Sequence, residues 1–189
     1  MPETTKETAT LQLDWLQQGY TTFAHHGPEA LKVERLARAV GKSKSSFYHY
    51  FADPEGFQES LLHHHLEQAR LIAKKEAACQ SLDDLVGVLL EHKTDLLFNR
   101  QLRVHRSHPA FERCFEATTE LTVSAILPVW GRIIGLKDQS YLAALVLQLS
   151  LENFYIQLTP DTLNRAWLLD YFVELQHLVR SFQAQKTKV

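Results

Sequence analysis

The stretch Leu31 to Phe57, LKVERLARAVGKSKSSFYHYFADPEGF, leaves a chain few ways to fold. Val33, Leu36, Ala37 and Val40 recur at helical spacing and predict a short helix with one apolar face. Gly41 then interrupts the pattern where the chain needs a left-handed residue, a conformation glycine adopts without steric cost. Ser43 is placed to cap a second helix, filled by Lys44 to Phe51. Phe47 and Phe51 would anchor that helix, leaving hydroxyls, lysines and aromatic tips outward. Asp53-Pro54 follows at once as the start of a third helix, with Asp as cap and Pro at the first helical position. Two short helices joined by a tight turn form a helix-turn-helix, which presents its second helix to the DNA major groove.

The rest of the chain reads as helix throughout. Met1 to Thr10 is polar and reads as a loose arm. Asp14 can cap a first helix whose stripe is Leu16, Tyr20, Phe23 and Ala24, ended by Gly27-Pro28. The fourth helix, from Asp53-Pro54 to about Ala77, has the inner stripe Phe57, Leu61, Leu62, His65, Leu66, Ala69 and Ile72. Ser81 caps a fifth helix reaching Phe98. A short sixth covers Arg100 to Arg106. A seventh runs from Pro109 to Ile134, with Pro128 as a kink or break and Gly135 at its end. An eighth begins at Asp138 and reaches Leu158. A ninth begins at Thr159-Pro160 and reaches Gln183. No β-alternation of useful length and no internal repeat occurs. The expected fold class is therefore all-α, with nine helices.

Composition narrows the function. The chain has 189 residues and a formal net charge of −2, which does not advertise nucleic-acid binding. Between Pro28 and Phe51, however, Lys32, Arg35, Arg38, Lys42 and Lys44 face only Glu29 and Glu34, a local charge of +3. Screening limits distant acids to a reach of ~8–10 Å, so a local basic patch can still bind phosphate. Cys79 and Cys114 have no metal or disulfide spacing, which points to a reducing, cytoplasmic setting. No segment resembles a signal peptide, and no apolar run is long enough to span a membrane.

Catalytic signatures are missing. There is no nucleophile elbow, phosphate loop or HExxH motif, so the chain reads as a non-enzyme without a cofactor. Ten histidines invite a metalloprotein reading. Yet His63, His64 and His65 point ~100° apart around a helix and cannot converge on one ion. His105 and His108 are suitably spaced but lack a third ligand nearby.

With these residues in view, the segment GPEALKVERLARAVGKSKSSFYHYF resembles the DNA-binding segment of tetracycline-repressor (TetR) type transcriptional regulators. The shared features are the apolar helix Val33 to Val40, Gly41, the run Ser43-Lys44-Ser45-Ser46, then Phe47, Tyr48 and Phe51. The resemblance covers about residues 12 to 66. The chain departs from the pattern at Ser45, where glycine is usual, and at Pro54, where a phosphate-touching lysine is usual.

The resemblance implies a helix-turn-helix domain over residues 1–52 and a ligand-binding and dimerisation domain over residues 53–189. It implies a repressor that binds a palindromic double-stranded operator as a homodimer and is released by a small-molecule effector. The candidate DNA contacts are Lys32, Lys42, Ser43, Lys44, Ser45, Ser46, Tyr48, His49 and Tyr50. The candidate effector contacts are His65, His92, Leu96, Phe111, Phe115, Thr118, Gln148 and Glu152, polar or aromatic groups on otherwise apolar faces. The last two helices are apolar nearly all round, so Leu147, Leu151, Phe154, Leu168, Phe172, Leu175 and Val179 are candidates for the dimer face. Two rival readings stand beside this one: a helical dimer of the same fold that has lost specific DNA binding, and a histidine metalloprotein.

Overall fold

The computed structural model describes residues 3–186, and among these the fold is all-helical. Nine α-helices are present: α1 (Glu3–His26), α2 (Val33–Val40), α3 (Lys44–Tyr50), α4 (Pro54–Ala78), α5 (Leu82–Glu91), α6 (Lys93–Val104), α7 (Pro109–Ile133), α8 (Ser140–Gln157) and α9 (Arg165–Lys186). A short 3-10 turn, Pro28–Ala30, joins α1 to α2.

The helix ends follow local chemistry. Gly41 sits at φ 69°, the left-handed cap of α2. The Ser43 side chain accepts the backbone N–H of Ser46 at the start of α3. Asp53 Oδ1 accepts the N–H of Gly56 at 2.7 Å, with Pro54 in the first turn of α4. Ser81 and Asp84 form a reciprocal capping box at α5.

Four boundaries differ from the sequence reading. The helix α1 begins at Glu3 rather than at Asp14, and Met1 and Pro2 lie outside the described residues. Glu3, Lys6, Glu7, Ala9, Leu11, Gln12 and Leu13 favour helix there despite the four threonines among them, so polarity is no sign of a loose arm. The fifth helix stops at Glu91, and α6 starts at Lys93 instead of Arg100, because His92 takes a non-helical φ, ψ of −107°, 34°. No glycine or proline marks that break. Asp138 does not start α8, which is preceded by Gln139 without a side-chain cap. Thr159-Pro160 belongs to a turn closed by Thr159 and Thr162, and Asn164 Oδ1 receives the Trp167 N–H at the start of α9. The helix α7 continues through Pro128.

Packing places two functional regions. The helices α1, α2 and α3 form the N-terminal head, and α1 also packs on α4 and α6. Beneath α3, Phe47 meets Trp15, Phe51 and Phe57 at ring-centroid distances of 5.2–5.4 Å. A Cβ at Gly19 would meet the buried Phe57 ring at 2.3 Å, so this glycine sets how closely α1 approaches α4. In the C-terminal part, α4 lies against α7, α7 against α8, and α5 against α9.

Candidate functional site

The helix α3 carries the predicted DNA-facing side chains. Its inner residue Phe47 is fully buried, while Lys44, Ser45, Tyr48 and His49 are exposed and Ser46 and Tyr50 are half-buried. Tyr48 is 52% exposed, its ring and hydroxyl open to a partner. His49 and Tyr50 meet edge to face at 5.0 Å. Lys32 and Lys42 are exposed at the two ends of α2. Ser43 is occupied as the cap of α3. Lys44 reaches back to Glu34 of α2 in an ion pair, which holds the Glu34 carboxyl below its ordinary range. The lysine is thereby held at the entry of the exposed helix, where an incoming phosphate would compete for it.

The second site is a cavity enclosed by α4 to α9. The centre of a water molecule can occupy about 60 Å³ of it, and six helices line it. From α4 come His65, Ala69, Ile72 and Glu76, spaced at helical intervals along one face. These residues carry the cavity over ~16 Å of helix. The helices α7, α8 and α9 add the aromatic rings of Trp130, Phe154, Tyr155, Tyr171 and Phe172 to a lining otherwise rich in leucine and isoleucine.

Of the predicted effector contacts, His65, Leu96 and Thr118 line this cavity. The other five lie off its lining. His92 contacts Asp95 and Lys75 instead. Glu152 receives two hydrogen bonds from Arg103. Gln148 is exposed. Phe111 packs on Phe23 and His108, and Phe115 meets Tyr155 edge-on from behind the lining. Glu76, Asn99, Ser150, Tyr155 and Tyr171 line the cavity and were not singled out from sequence. Glu76 was legible in principle: it continues the stripe of His65, Ala69 and Ile72 by one more turn.

Four of the cavity's polar side chains, those of Thr118, Asn99, Tyr155 and His65, form one buried chain. Thr118 Oγ1 donates to Asn99 Oδ1 at 2.8 Å, and Asn99 Nδ2 donates to the Tyr155 hydroxyl at 2.8 Å. His65 Nε2 lies 3.3 Å from Asn99 Oδ1, and His65 Nδ1 lies 2.6 Å from the hydroxyl of Tyr20 on α1. That hydroxyl is also 2.7 Å from Asp95 Oδ1. Its single proton serves one of the two, and the tautomer of His65 decides which. Burial pushes His65 down to about 4 and raises the Tyr20 and Tyr155 hydroxyls, so all three side chains are neutral near neutral pH. Two buried groups of the lining or its immediate wall stay unpaired: Glu76 Oε2 and Trp130 Nε1.

The predicted dimer residues face inward. Leu147, Leu151, Phe154 and Phe172 line the cavity, Leu168 and Val179 are buried, and Leu175 packs half-buried against the same core. Periodicity cannot decide which side of an all-round apolar helix turns to its own core. The outward apolar side chains are instead Tyr141, Leu145, Leu149 and Ile156 on α8 and Val173, Leu178 and Phe182 on α9.

Among the described residues, no group of three His, Cys, Asp or Glu side chains could hold a metal ion. Nor is any described helix long and apolar enough to cross a membrane.

Comparison with known proteins agrees with this geometry. The family model of bacterial regulatory proteins of the tetR family matches residues 16–61, the span from α1 through the start of α4. The fold is similar to that of a Rhodococcus sp. protein assigned to the TetR family of transcriptional regulators, with a TM-score of 0.53 and 18% identity. That likeness, one of fold, covers 91% of this chain and 98% of the other. No curated protein matches the chain significantly. The helix-turn-helix of α2 and α3 thus lies within a segment that matches the tetR family of bacterial regulatory proteins, and it is set in an all-helical fold shared with a protein assigned to that family.

Proposed function

We propose that the protein is an effector-responsive repressor that binds a palindromic operator as a homodimer and leaves it when a small molecule enters the cavity. The observation that carries this reading is the hydrogen-bonded chain from Tyr155, Thr118 and Asn99 through His65 to Tyr20 on α1. It ties the cavity wall to the helix on which Trp15 supports Phe47 of α3. A ligand that competes for Asn99 or Tyr155 changes the partners of His65, and through Tyr20 the seating of α1 against α4. Differential affinity for the two seatings then links effector to DNA.

The dimer reading rests on α8 and α9. Leu149 and Phe182 are 64% and 62% exposed, too much apolar surface on adjacent elements to leave in water. Two copies paired across a two-fold axis would cover it and set two α3 helices ~34–36 Å apart, or a multiple, on successive major grooves. On DNA, Lys32, Lys42 and Lys44 supply phosphate contacts, and Ser45, Ser46, Tyr48, His49 and Tyr50 offer groups to sugar and base edges. With Pro54 at the opening of α4, the salt dependence reflects one phosphate contact fewer than a lysine there would give.

A fluorescence titration with duplex from upstream of the protein's own gene tests the reading. Binding clearly tighter than to random duplex at physiological salt is expected, and equal binding overturns it. Leu149→Glu should yield monomers in sedimentation with the protomer still folded, whereas Leu168→Glu, at a fully buried site, should unfold the protomer.

A further inference from the structure

We propose that the cavity's ligand is a hydrophobic organic cation, an alkyl- or arylammonium, whose charge pairs with Glu76 among the rings of Trp130, Phe154, Tyr155, Tyr171 and Phe172. This deepens the reading of the cavity as an effector site by naming the ligand's chemistry.

The argument starts from Glu76. Its side chain lines the cavity, the residue is 3% exposed, and Oε2 has no hydrogen-bond partner. No cation is paired with it among the described residues. Its neighbour Lys75 turns away to Glu91 and His92, and Arg132 reaches the Cys79 carbonyl. An isolated buried carboxyl is costly, and acids are rarely fully buried without a partner. Burial alone pushes this one up to about 7, which reflects the missing counter-charge.

The surroundings select the partner's character. Five aromatic rings line the same cavity, and Tyr155 is close enough to Glu76 for the two to interact electrostatically. Ring faces attract cations, most strongly where water is excluded. A ligand carboxylate would meet Glu76 as a like charge, and a neutral chain would leave Oε2 unpaired. The small volume, about 60 Å³ for the centre of a water molecule, and the ~16 Å run along α4 suit a slender chain better than a broad ring system.

Three probes of equal length separate these cases: decylamine, decanol and decanoate, each titrated calorimetrically below its aggregation range. Decylamine should bind most tightly, with decanol weaker by roughly 10- to 100-fold, the range of a hydrogen bond to a charged group, and decanoate weakest. Glu76→Gln keeps the shape and should bring decylamine down to the decanol level. Failure of decylamine to bind, equal binding of decanol, or unchanged decylamine affinity in Glu76→Gln overturns the assignment. The release of DNA is read separately. If decylamine binds through Glu76 but leaves operator affinity unchanged, the ligand assignment stands and the linkage to DNA falls.

Discussion

The head and the cavity treat polar groups in opposite ways. In the head, the polar side chains of α3 sit at the surface or its edge above an apolar base of Trp15, Phe47, Phe51 and Phe57. In the cavity, five helices send polar side chains inward; His65, Asn99, Thr118 and Tyr155 satisfy one another, while Glu76 Oε2 has no partner. The head is therefore a rigid platform whose recognition groups await a partner without cost to the fold. The cavity holds a desolvated carboxyl without a partner. The proposed regulation would use both: a surface that does not change when left empty, and an interior that does.

The sharpest way to break this contrast is at the platform. Phe47→Ala should cost about 3–5 kcal/mol in urea denaturation, the range for truncating a buried ring. A loss below about 1 kcal/mol would mean that α3 is not anchored as described.

Glu76→Gln probes the other side through pH. The folded carboxyl titrates near 7, above its ordinary 4.5. Its contribution to stability is thus fully present below about 4.5 and lost as the pH rises through about 7. The variant lacks that loss, so it should gain on the native protein by a few kcal/mol between pH 4.5 and 8. Parallel stability profiles for the two proteins would show that Glu76 is solvated or paired.

Asn99→Ala should cost about 1–3 kcal/mol, because Tyr155 and His65 lose a buried partner. It should also weaken the coupling between cavity and DNA, which a simple packing defect would not do. Operator affinity with and without a bound cavity ligand checks this.

The smallest effect on the fold belongs to Tyr48→Ala. Stability should change by no more than about 0.5 kcal/mol, while operator affinity falls. Equal operator affinity would remove Tyr48 from the DNA interface.

Legibility divides along the same line. Gly41, Ser43 and Asp53-Pro54 act within three or four residues, so α2, α3 and the start of α4 could be placed from the chain itself. The break at His92 carries no such residue and escaped notice. Gly19 reads as an ordinary helical position until Phe57 is seen against it. His65 and Thr118 could be suspected as polar residues on apolar faces. His92 and Glu152 met the same criterion, yet the fold gives them Lys75 and Arg103 as partners.

Caps, turns and periodicity are local, so the all-helical class, the helix-turn-helix and the exposed character of α3 can be read from the chain alone. Which faces of α8 and α9 turn inward, and which polar groups meet, follows from long-range packing. Tyr20 and Asp95 are 75 residues apart, and Asn99 and Tyr155 are 56 apart. Their hydrogen bonds depend on how whole helices pack, and hydrophobic burial, which is non-directional, leaves that choice to the fit of side chains across the core.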